Sequence, residues 1–508
     1  MPIKTKNLLQ KNNIRIKLKN PLLDPVYIQK RVLKRLLAKS VNTEFGKHYE
    51  FDKILNGKNF TCEFQSKIPI HDYDKIYNEW WHKSLECNMN ETWRGKAKYF
   101  ALSSGTTGNA SKYIPITRDI MNSMAFTGMR LFTALSKLKT PRKIYLKNWL
   151  MIGGSATLKE EKGCYVGDLS GINAKKNSYW TKPYYKPGLK IAKMKNWDDR
   201  LKAIAMNAHK WDIGVVSGIP SWVQLTLEYV IKENKLKNIH EIWPNLSVFI
   251  TGGTAFEPYK NSFEALLDHP LTYIDTYLAS EGFIAYQNRI GTNAMKMILN
   301  GGIFYEFVPF NDDNFDESGN LKSKAQALHI GEIEENIDYA LLLTTNAGAW
   351  RYLIGDTIRF TDKSKNEIII TGRTKHFLSV CGEHLSVDNM NQAIKKVENE
   401  LNLNIKEFTV GAVKKGSHFT HRWYIGTEKN IDKTKLSNAL DNFLCELNDD
   451  YKAERSAMLH SPEINVLPNE VFYNWQRHIG KMNGQSKIPR VLNQKNLNEW
   501  ENYLSNNF

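Results

Sequence analysis

Residues 103–115 combine glycines, hydroxyl side chains and one lysine in the order Ser-Ser-Gly-Thr-Thr-Gly-Asn-Ala-Ser-Lys-Tyr-Ile-Pro. Glycines permit positive φ and a close approach of the backbone to an anion, and N–H groups beside a cation form an anion-binding concavity. The predicted phosphate-binding residues are Ser103, Ser104, Gly105, Thr106, Thr107 and Lys112. The lysine does not directly follow a glycine, so the segment is not a Walker A loop. An ordinary polar surface loop is the alternative.

This loop resembles the phosphate-binding signature of the adenylate-forming superfamily, which includes acyl-CoA ligases, peptide-synthetase adenylation domains and luciferase. More closely, its SSGTTxxxxKxIP form is similar to that of the auxin-responsive Gretchen Hagen family of acyl-acid amido synthetases. Six later segments match in the same order, so the resemblance extends from about residue 29 to residue 491. The order of the segments is more specific than any one of them.

Two of these segments carry groups that suit a nucleotide and its metal. A predicted strand ends at Thr251 and Gly252, and ligand crevices form at such strand ends in open α/β sheets; a tight structural turn is an equal alternative. Residues 276–282, TYLASEG, resemble the family's adenine and metal motif, which includes Ser280. Glu281 is then the Mg²⁺ ligand, and Tyr277 offers an aromatic face or a hydroxyl. Without its neighbours, Glu281 is better explained as a surface carboxylate.

Two further patterns add contacts to the nucleotide. Residues 304–309 are FYEFVP, and Tyr305 is the candidate for stacking on adenine, although a strand aromatic is more often a core residue. Residues 344–359 contain Gly355-Asp356, and the resemblance assigns Asp356 to the ribose hydroxyls. A carboxylate can accept hydrogen bonds from both hydroxyls of a diol. A simple Gly-Asp turn is the alternative.

The last two segments resemble the superfamily's hinge and C-terminal motifs. In TGRTKHFLSVCGEHLS, the resemblance places Arg373 near the ribose and Lys375 at a hinge about which a C-terminal domain rotates. In GKMNGQSKIPRV, it makes Lys487 the mobile cation that reaches the α-phosphate and the acyl carboxylate. Asn483 departs from the family pattern, which has glycine there. A surface lysine is the alternative for Lys487 in so lysine-rich a chain.

The elements that must position these residues alternate between helical and strand patterns, which predicts α/β layers. A helix is expected over residues 25–45, and Thr117 is expected to cap the helix that follows the phosphate loop. By resemblance, the latter helix lines the acyl site with Phe126 and Arg130. Arg130 is then a partner for the substrate carboxylate, with a surface arginine as the stronger alternative.

The composition change near residue 370 predicts a domain boundary. The resemblance implies a large N-terminal α/β adenylate-forming domain of layered sheets and helices, residues 1–374. It also implies a small mobile C-terminal α+β lid domain, residues 375–508. A helix over 386–401, strands over 407–413 and 421–427, and a helix over 432–449 are expected in the second domain.

The amino-acid composition limits the kinds of binding partner that the chain is expected to have. The formal charge of +17 is compatible with a basic surface alone, a nucleic acid, a membrane surface or an anionic substrate. No lysine-rich tract flanked by aromatics predicts a nucleic-acid groove, and no apolar run predicts a membrane span. Five scattered cysteines without a CxxC pair disfavour a zinc site or a disulfide framework. We expect a cytoplasmic protein that is a monomer or weak dimer.

The expected function is that of an ATP- and Mg²⁺-dependent ligase. It adenylates a small carboxylic acid, with aromatic acids among the candidates, and transfers the acyl group to an amino acid, releasing AMP and pyrophosphate. Transfer to CoA or a carrier thiol and a non-catalytic nucleotide-binding relative are the alternatives. The absence of GxSxG and HExxH patterns disfavours a serine hydrolase and a metallohydrolase.

Overall fold

The computed structural model describes residues 24–103, 112–138, 140–176, 182–194, 196–253, 256, 259–316, 319–374, 377–383, 385–405, 407–427, 431–479 and 488–507. The α-helices are α1 Pro25–Ser40, α2 Glu44–His48, α3 Phe51–Asn56, α4 Phe60–Lys67, α5 Tyr73–Ile76, α6 His82–Leu85, α7 Arg118–Ala134, α8 Leu169–Lys176, α9 Leu189–Ala192, α10 Trp197–Asn207, α11 Pro220–Glu233, α12 Lys260–Glu264, α13 Val387–Leu401, α14 Lys433–Leu447, α15 Asp449–Arg455, α16 Asn469–His478 and α17 Gln494–Asn507.

The strands are β1 Tyr99–Ser103, β2 Lys112–Ile116, β3 Asn148–Met151, β4 Lys159–Glu161, β5 Cys164–Gly167, β6 Tyr185–Lys186, β7 Ile213–Gly218, β8 Val248–Gly252, β9 Thr272–Ala279, β10 Gly282–Tyr286, β11 Met295–Met297, β12 Ile303–Pro309, β13 Asp338–Thr345, β14 Tyr352–Asp362, β15 Glu367–Arg373, β16 Phe377–Leu378, β17 Leu385–Ser386, β18 Glu407–Lys415, β19 His418–Gly426, β20 Glu463–Leu467 and β21 Val491–Leu492.

Eleven of these strands form one mixed sheet in the order β12-β13-β14-β15-β11-β10-β9-β8-β7-β3-β6. From β9 to β6 all neighbours are parallel, whereas from β12 to β9 all are antiparallel. The parallel half is flanked by helices such as α10 and α11, whose apolar faces share a core with β7 and β8. The fold class is therefore mixed α/β, as predicted, and β9 joins the two halves.

The helix expected near the N-terminus ends earlier than its pattern indicates. In α1, Pro25 occupies the first turn and Asp24 accepts a hydrogen bond from the Tyr27 N–H, which fits a capped start. The predicted apolar face, represented by Leu33 and Leu37, is fully buried. Thr117 caps α7 by accepting from the Ile120 N–H, as predicted.

A second sheet has the order β2-β1-β5-β4 and corrects one expectation about the phosphate loop. The loop was expected to connect a strand to a helix. Instead, β1 and β2 pair antiparallel from Ser103↔Lys112 to Tyr99↔Ile116, so the segment between them joins two strands. Lys112 and Pro115 belong to β2, and α7 begins only at Arg118.

A separate core lies in the C-terminal part of the chain. It is built around Leu385, Trp423 and Leu440, from α13, α14 and the sheet β20-β19-β18-β21. The four elements expected there are present. Whether the domain boundary lies at Lys375 stays a prediction, because Lys375 is outside the described residues. Across the described ranges, none of the helices combines the length and apolar character needed to cross a bilayer.

Candidate functional site

Four charged side chains from distant parts of the chain meet at the junction of the two sheets. Lys112 lies at the start of β2, Glu281 in the turn between β9 and β10, Asp356 on β14 and Arg373 at the end of β15. Lys112 is close enough to the other three for each of them to shift its pKa. All four were predicted to bind the nucleotide or its metal, and the structure brings them together.

Asp356 is held from two sides. The Tyr277 hydroxyl donates to its Oδ2 across 2.5 Å, and Arg373 Nε lies 3.2 Å from its Oδ1. Asp356 and Arg373 are cross-strand partners in β14 and β15, so sheet register places them side by side. The Nε–H does not point at the carboxylate, so this contact is an ion pair without a well-aligned hydrogen bond.

Gly355 precedes Asp356 in a backbone conformation that side chains rarely adopt. Its φ of +93° favours glycine, and an added Cβ would lie 3.4 Å from an Arg373 guanidinium nitrogen. The Gly355 carbonyl also accepts from the Thr374 N–H at 2.8 Å. The Gly-Asp dipeptide is thus a structural feature that orients Asp356 and Arg373 together.

Lys112 is a buried cation. It is 7% exposed, and burial together with the nearby Arg373 charge lowers its pKa to about 8, against the opposing effect of Glu281, Asp74 and Asp356. Its Nζ lies 5.4 Å from the centre of the Tyr73 ring, within cation–π range. A lysine desolvated in this way gains more from an anionic ligand than an exposed lysine does.

Glu281 is buried to a similar degree, at 7% exposure. Burial raises the pKa of its carboxyl, and a backbone hydrogen bond and Lys112 oppose that rise. Within the part of the chain that the structure describes, no three His, Cys, Asp or Glu side chains group as a ready-made metal site. A single carboxylate suits Mg²⁺ that takes its other ligands from phosphates and water.

Thr251 and Gly252 lie at the end of β8, beside the segment that carries Tyr277. The Thr276 hydroxyl donates to the Thr251 carbonyl at 2.8 Å, and a Cβ on Gly252 would come within 2.6 Å of that hydroxyl oxygen. The Thr251 hydroxyl is buried and has no hydrogen-bond partner among the residues that the structure describes. Ser280, next to Glu281, is half-buried.

A cavity of about 890 Å³ opens beside the cluster. Its lining includes Lys112, Arg373 and Gly355 on one side and Tyr73 and Asp74 on the other. Pockets for small molecules and cofactors fall in this size range. The cavity gives an anionic ligand access to the buried Lys112 and the half-buried Arg373.

The expected adenine contact at Tyr305 is wrong. This ring is fully buried in the main core, its hydroxyl donates to the Ile298 carbonyl, and its N–H donates to Gln29. Neither ring face is open to a ligand. The position belongs to a strand, β12, in which nearly every side chain is buried.

Phe126 and Arg130, the residues predicted for the acyl pocket, make their described contacts away from the buried face of α7. Phe126 is 57% exposed, and Arg130 lies over its ring and donates to Asn300. The buried face of α7 consists of Ile120, Met124, Thr127 and Leu131. The two residues contact each other and Asn300 rather than the charged cluster, so they stay a prediction for the acyl pocket without support from these contacts.

Several predicted residues lie outside the described residues: Ser104, Gly105, Thr106, Thr107, Lys375 and Lys487. Their assigned roles in phosphate binding, hinge motion and catalysis stay predictions. Ser103 is described, as the last residue of β1.

Two contributors were not predicted. Tyr73, on α5, places its ring against Lys112 and accepts a hydrogen bond from the Tyr113 N–H at 2.8 Å. Tyr352 is fully buried, and Glu281 is among the charges that raise the pKa of its hydroxyl, after burial. Tyr352 lies within residues 344–359, one of the segments that match the family, whereas nothing in the local sequence near Tyr73 signals a site.

Comparison with solved structures identifies the fold. The structure resembles a GH3.15 acyl acid amido synthetase, with a TM-score of 0.56 and 15% identity over 94% of this chain and 93% of that one. It also resembles a 2-hydroxyisobutyryl-CoA ligase solved with 2-HIB-AMP and CoA, with a TM-score of 0.57 and 12% identity over 95% and 92% of the two chains. The fold is that of the adenylate-forming ligases.

Sequence comparison identifies the family. Models of the GH3 family N-terminal, central and C-terminal domains match residues 16–206, 296–369 and 388–496. The indole-3-acetic acid-amido synthetase GH3.2 of Arabidopsis thaliana is 21% identical, over 66% of this chain and 72% of its own length. The indole-3-acetic acid-amido synthetase GH3.4 of the same plant is 22% identical over 92% of this chain and 89% of its own length. The chain belongs to the GH3 family.

Proposed function

We propose that the protein is an ATP-dependent acyl-acid amido synthetase, which joins a carboxylic acid to an amino acid through an acyl-adenylate. The observation that carries the proposal is the convergence of Lys112, Glu281, Asp356 and Arg373, of which Lys112 and Arg373 line one cavity. Membership of the GH3 family and the names of its relatives support the same reaction class. An amino acid as the acceptor follows from those names alone.

The residues suit ATP. Asp356 uses one oxygen for Tyr277 and faces Arg373 with the other, and a carboxylate has about four acceptor positions. It therefore retains acceptors for the ribose hydroxyls. Lys112 and Arg373 supply cations for phosphate oxygens, in a partly desolvated setting where such contacts are strong.

The residues also suit Mg²⁺. A cation beside Glu281 favours the ionised form that burial disfavours, and the ion itself would neutralise charge between the phosphate oxygens. An acid attacking the α-phosphorus must bring one anion to another, so cations fixed at this point lower the barrier. The acid oxygen forms the new P–O bond to the α-phosphorus. The bond from that phosphorus to the bridging oxygen breaks, and pyrophosphate leaves with the bridging oxygen.

Transfer then needs an amine in place of water. The amine nitrogen attacks the acyl carbon, AMP leaves with the oxygen that linked it to the acyl group, and the nitrogen loses a proton. Lys487 is the candidate cation for the first step, on the resemblance of its KxPR context. Lys487→Ala should then reduce pyrophosphate release strongly.

The test is acid-dependent exchange of labelled pyrophosphate into ATP, across a panel of aryl and aliphatic acids. An active acid is next incubated with ATP and either a mixture of amino acids or CoA. We expect exchange with at least one acid and an amide product by mass spectrometry. A thioester that forms with CoA, with no amide, would mean a CoA ligase. ATP binding without exchange for any acid would support a non-catalytic relative.

A further inference from the structure

Two thiols from separate segments lie together at the edge of the β2-β1-β5-β4 sheet. Sγ of Cys87 and Sγ of Cys164 are 3.3 Å apart. A disulfide joins sulfurs about 2.05 Å apart, so a movement of about 1 Å would bring them to bonding distance. Cys164 is fully buried at the start of β5, and Cys87 is half-buried after α6. They are 77 residues apart in the chain.

Cys87 occupies a backbone position that normally belongs to glycine. Its N–H donates to the Ser84 carbonyl, and the Asn88 N–H donates to the Lys83 carbonyl. These two bonds form the Schellman motif that ends α6, with Cys87 at the left-handed residue, φ +71°. The Cys87 thiol therefore occupies a helix-ending position at which glycine, which has no side chain, is the usual residue.

Cys164 follows a tight hairpin turn, which faces Cys87. Lys162 and Gly163, with φ of +47° and +75°, connect β4 to β5, and Glu161 pairs with Cys164 across the turn. Positive φ at both central residues is typical of a type I′ turn. The Cys87 thiol donates to the Lys162 carbonyl at 2.5 Å. Backbone geometry on both sides thus holds the two sulfurs in register.

The two thiols differ in acidity. Burial opposes ionisation of Cys87, but hydrogen bonds from Cys164 and Lys96, and the Lys96 charge, lower its pKa overall. The Lys96 ammonium hydrogen-bonds to the Cys87 sulfur, and both groups lie near Gly163, where an added Cβ would be 3.4 Å from the sulfur and 4.0 Å from Lys96 Nζ. Burial raises the pKa of Cys164 to about 11. Such a pair resembles an attacking and a resolving cysteine.

We propose that Cys87 and Cys164 form a reversible thiol–disulfide site that reacts with small disulfides of the glutathione type. The Cys87 thiolate attacks one sulfur of the oxidant, whose S–S bond breaks and releases one thiolate. Cys164 then loses its proton to solvent and attacks the Cys87 sulfur; the S–S bond of the mixed disulfide breaks, and the second small thiolate leaves and takes up a proton. Two protein thiols are oxidised to one disulfide, and one small disulfide is reduced to two thiols.

The crosslink would connect the end of α6 to β5, the neighbour of β1. β5 pairs with β1 from Tyr99↔Tyr165 to Ala101↔Gly167, so Cys164 lies at the start of β1, whereas the predicted phosphate loop follows Ser103 at its other end. Tyr113 of β2 also donates to Glu161 of the hairpin. The modification therefore falls on the sheet that carries Lys112, without using any residue assigned to the proposed ATP site.

The test is incubation of the folded, full-length chain with glutathione disulfide, followed by thiol counting and peptide mapping. We expect loss of two of the five thiols, a crosslinked peptide pair containing Cys87 and Cys164, and recovery of both thiols with dithiothreitol. Retention of all thiols, a disulfide between other cysteines, or a stable glutathione adduct at Cys87 would each overturn the proposal.

Matched variants separate reaction from chance proximity. Cys87→Ser should abolish the crosslink, whereas Cys62→Ser, which removes an exposed cysteine elsewhere, should retain it. Lys96→Gln should slow the first step by at least about threefold, because less thiolate is present. Lys162→Gln is its control, since that ammonium faces Glu86 rather than a thiol. Equal rates for Lys96→Gln and Lys162→Gln would contradict the role of Lys96.

Discussion

The hydroxyl of Tyr277 donates to Oδ2 of Asp356 across 2.5 Å, although the two residues are 79 positions apart in the chain. The contact links β9, which leads into the turn that carries Glu281, to β14, which carries Asp356. Both residues belong to predicted motifs, yet neither motif indicates the other as its partner. The bond shows that two candidate nucleotide contacts are parts of one site.

Asp356 should contribute to ATP affinity. Asp356→Asn removes the negative charge while keeping the size of the side chain, and loss of charge-assisted hydrogen bonds costs about 1.5–3 kcal/mol. We expect the KM for ATP in pyrophosphate exchange to rise about 10- to 100-fold. The control is Asp338→Asn, which alters a carboxylate that pairs with Arg359 elsewhere on the same sheet. Similar changes in both variants would contradict a specific role.

Lys112 should make ATP binding sensitive to alkaline pH. Its pKa is lowered to about 8, so its charge is lost as the pH rises through that value. ATP affinity should then fall, by up to about tenfold per pH unit above that value. Titration calorimetry between pH 7 and 9 measures the change.

Two variants test the assignment of that alkaline limb. Lys112→Arg should remove the pH dependence, because a guanidinium stays protonated. Lys75→Met should retain it, because Lys75 is an exposed lysine of the same cavity. If ATP affinity still falls at alkaline pH in Lys112→Arg, the titrating group is a different one.

Glu281 should determine the metal requirement. Burial raises the pKa of its carboxyl, so protons compete with Mg²⁺ and the apparent Mg²⁺ affinity should increase as the pH rises through that pKa. Glu281→Gln should raise the Mg²⁺ concentration for half-maximal exchange about tenfold or more. Because the native carboxyl holds its proton longer than the unfolded one, its stabilising contribution is lost as the pH rises. In urea denaturation, the free energy of unfolding of Glu281→Gln should lack this pH-dependent contribution.

Arg351 and Glu306 should form a structural pair rather than a catalytic one. Arg351 Nε lies 3.1 Å from both Glu306 oxygens, both side chains are buried, and Arg351 also donates to the carbonyls of Gln65 and Ile68. Glu306→Ala leaves a buried, unpaired guanidinium and should reduce the free energy of unfolding by about 3–5 kcal/mol. Urea denaturation should show little change for Glu50→Ala, whose partners are exposed lysines.

Glu454 should make the contact between the C-terminal part and α11 dependent on pH. Trp222 of α11 donates to both Glu454 oxygens, at 3.0 and 3.1 Å. Burial raises the pKa of the Glu454 carboxyl well above its ordinary value; Trp222 opposes the rise, whereas the charges of Glu383 and Asp450 add to it. The protonated form is therefore favoured, and the contact should weaken as the pH rises through that pKa.

Hydrogen exchange of the amides in residues 377–383 would measure this weakening. Those residues pack against Glu454, since a Cβ on Gly382 would lie 3.2 Å from Glu454 Oε1. Glu454→Gln keeps an oxygen acceptor for Trp222 but cannot ionise, so its exchange should lose the pH dependence beyond the intrinsic one. Trp222→Phe should accelerate exchange at all pH values. Unchanged exchange in Trp222→Phe would contradict a stabilising contact.

The expectations that failed share one cause. Tyr305 was predicted from its residue type and its position within a motif, but its role depends on which faces of the strand meet the core. β12 is buried on both faces, so its alternation carried no usable signal. The loop after Ser103 was expected to lead into a helix, but a five-residue strand intervenes, and a strand that short has no distinctive periodicity.

The order of motifs in the sequence was sufficient to predict the family and the mixed α/β class, and it supplied the candidates Lys112, Glu281, Asp356 and Arg373, because these properties depend on local residue types and spacing. Only the tertiary structure decided that the four side chains meet, that Tyr73 lies against Lys112 and that Tyr305 is core. The physical reason is that strand order and register bring together residues far apart in sequence, and burial then determines their charge and exposure.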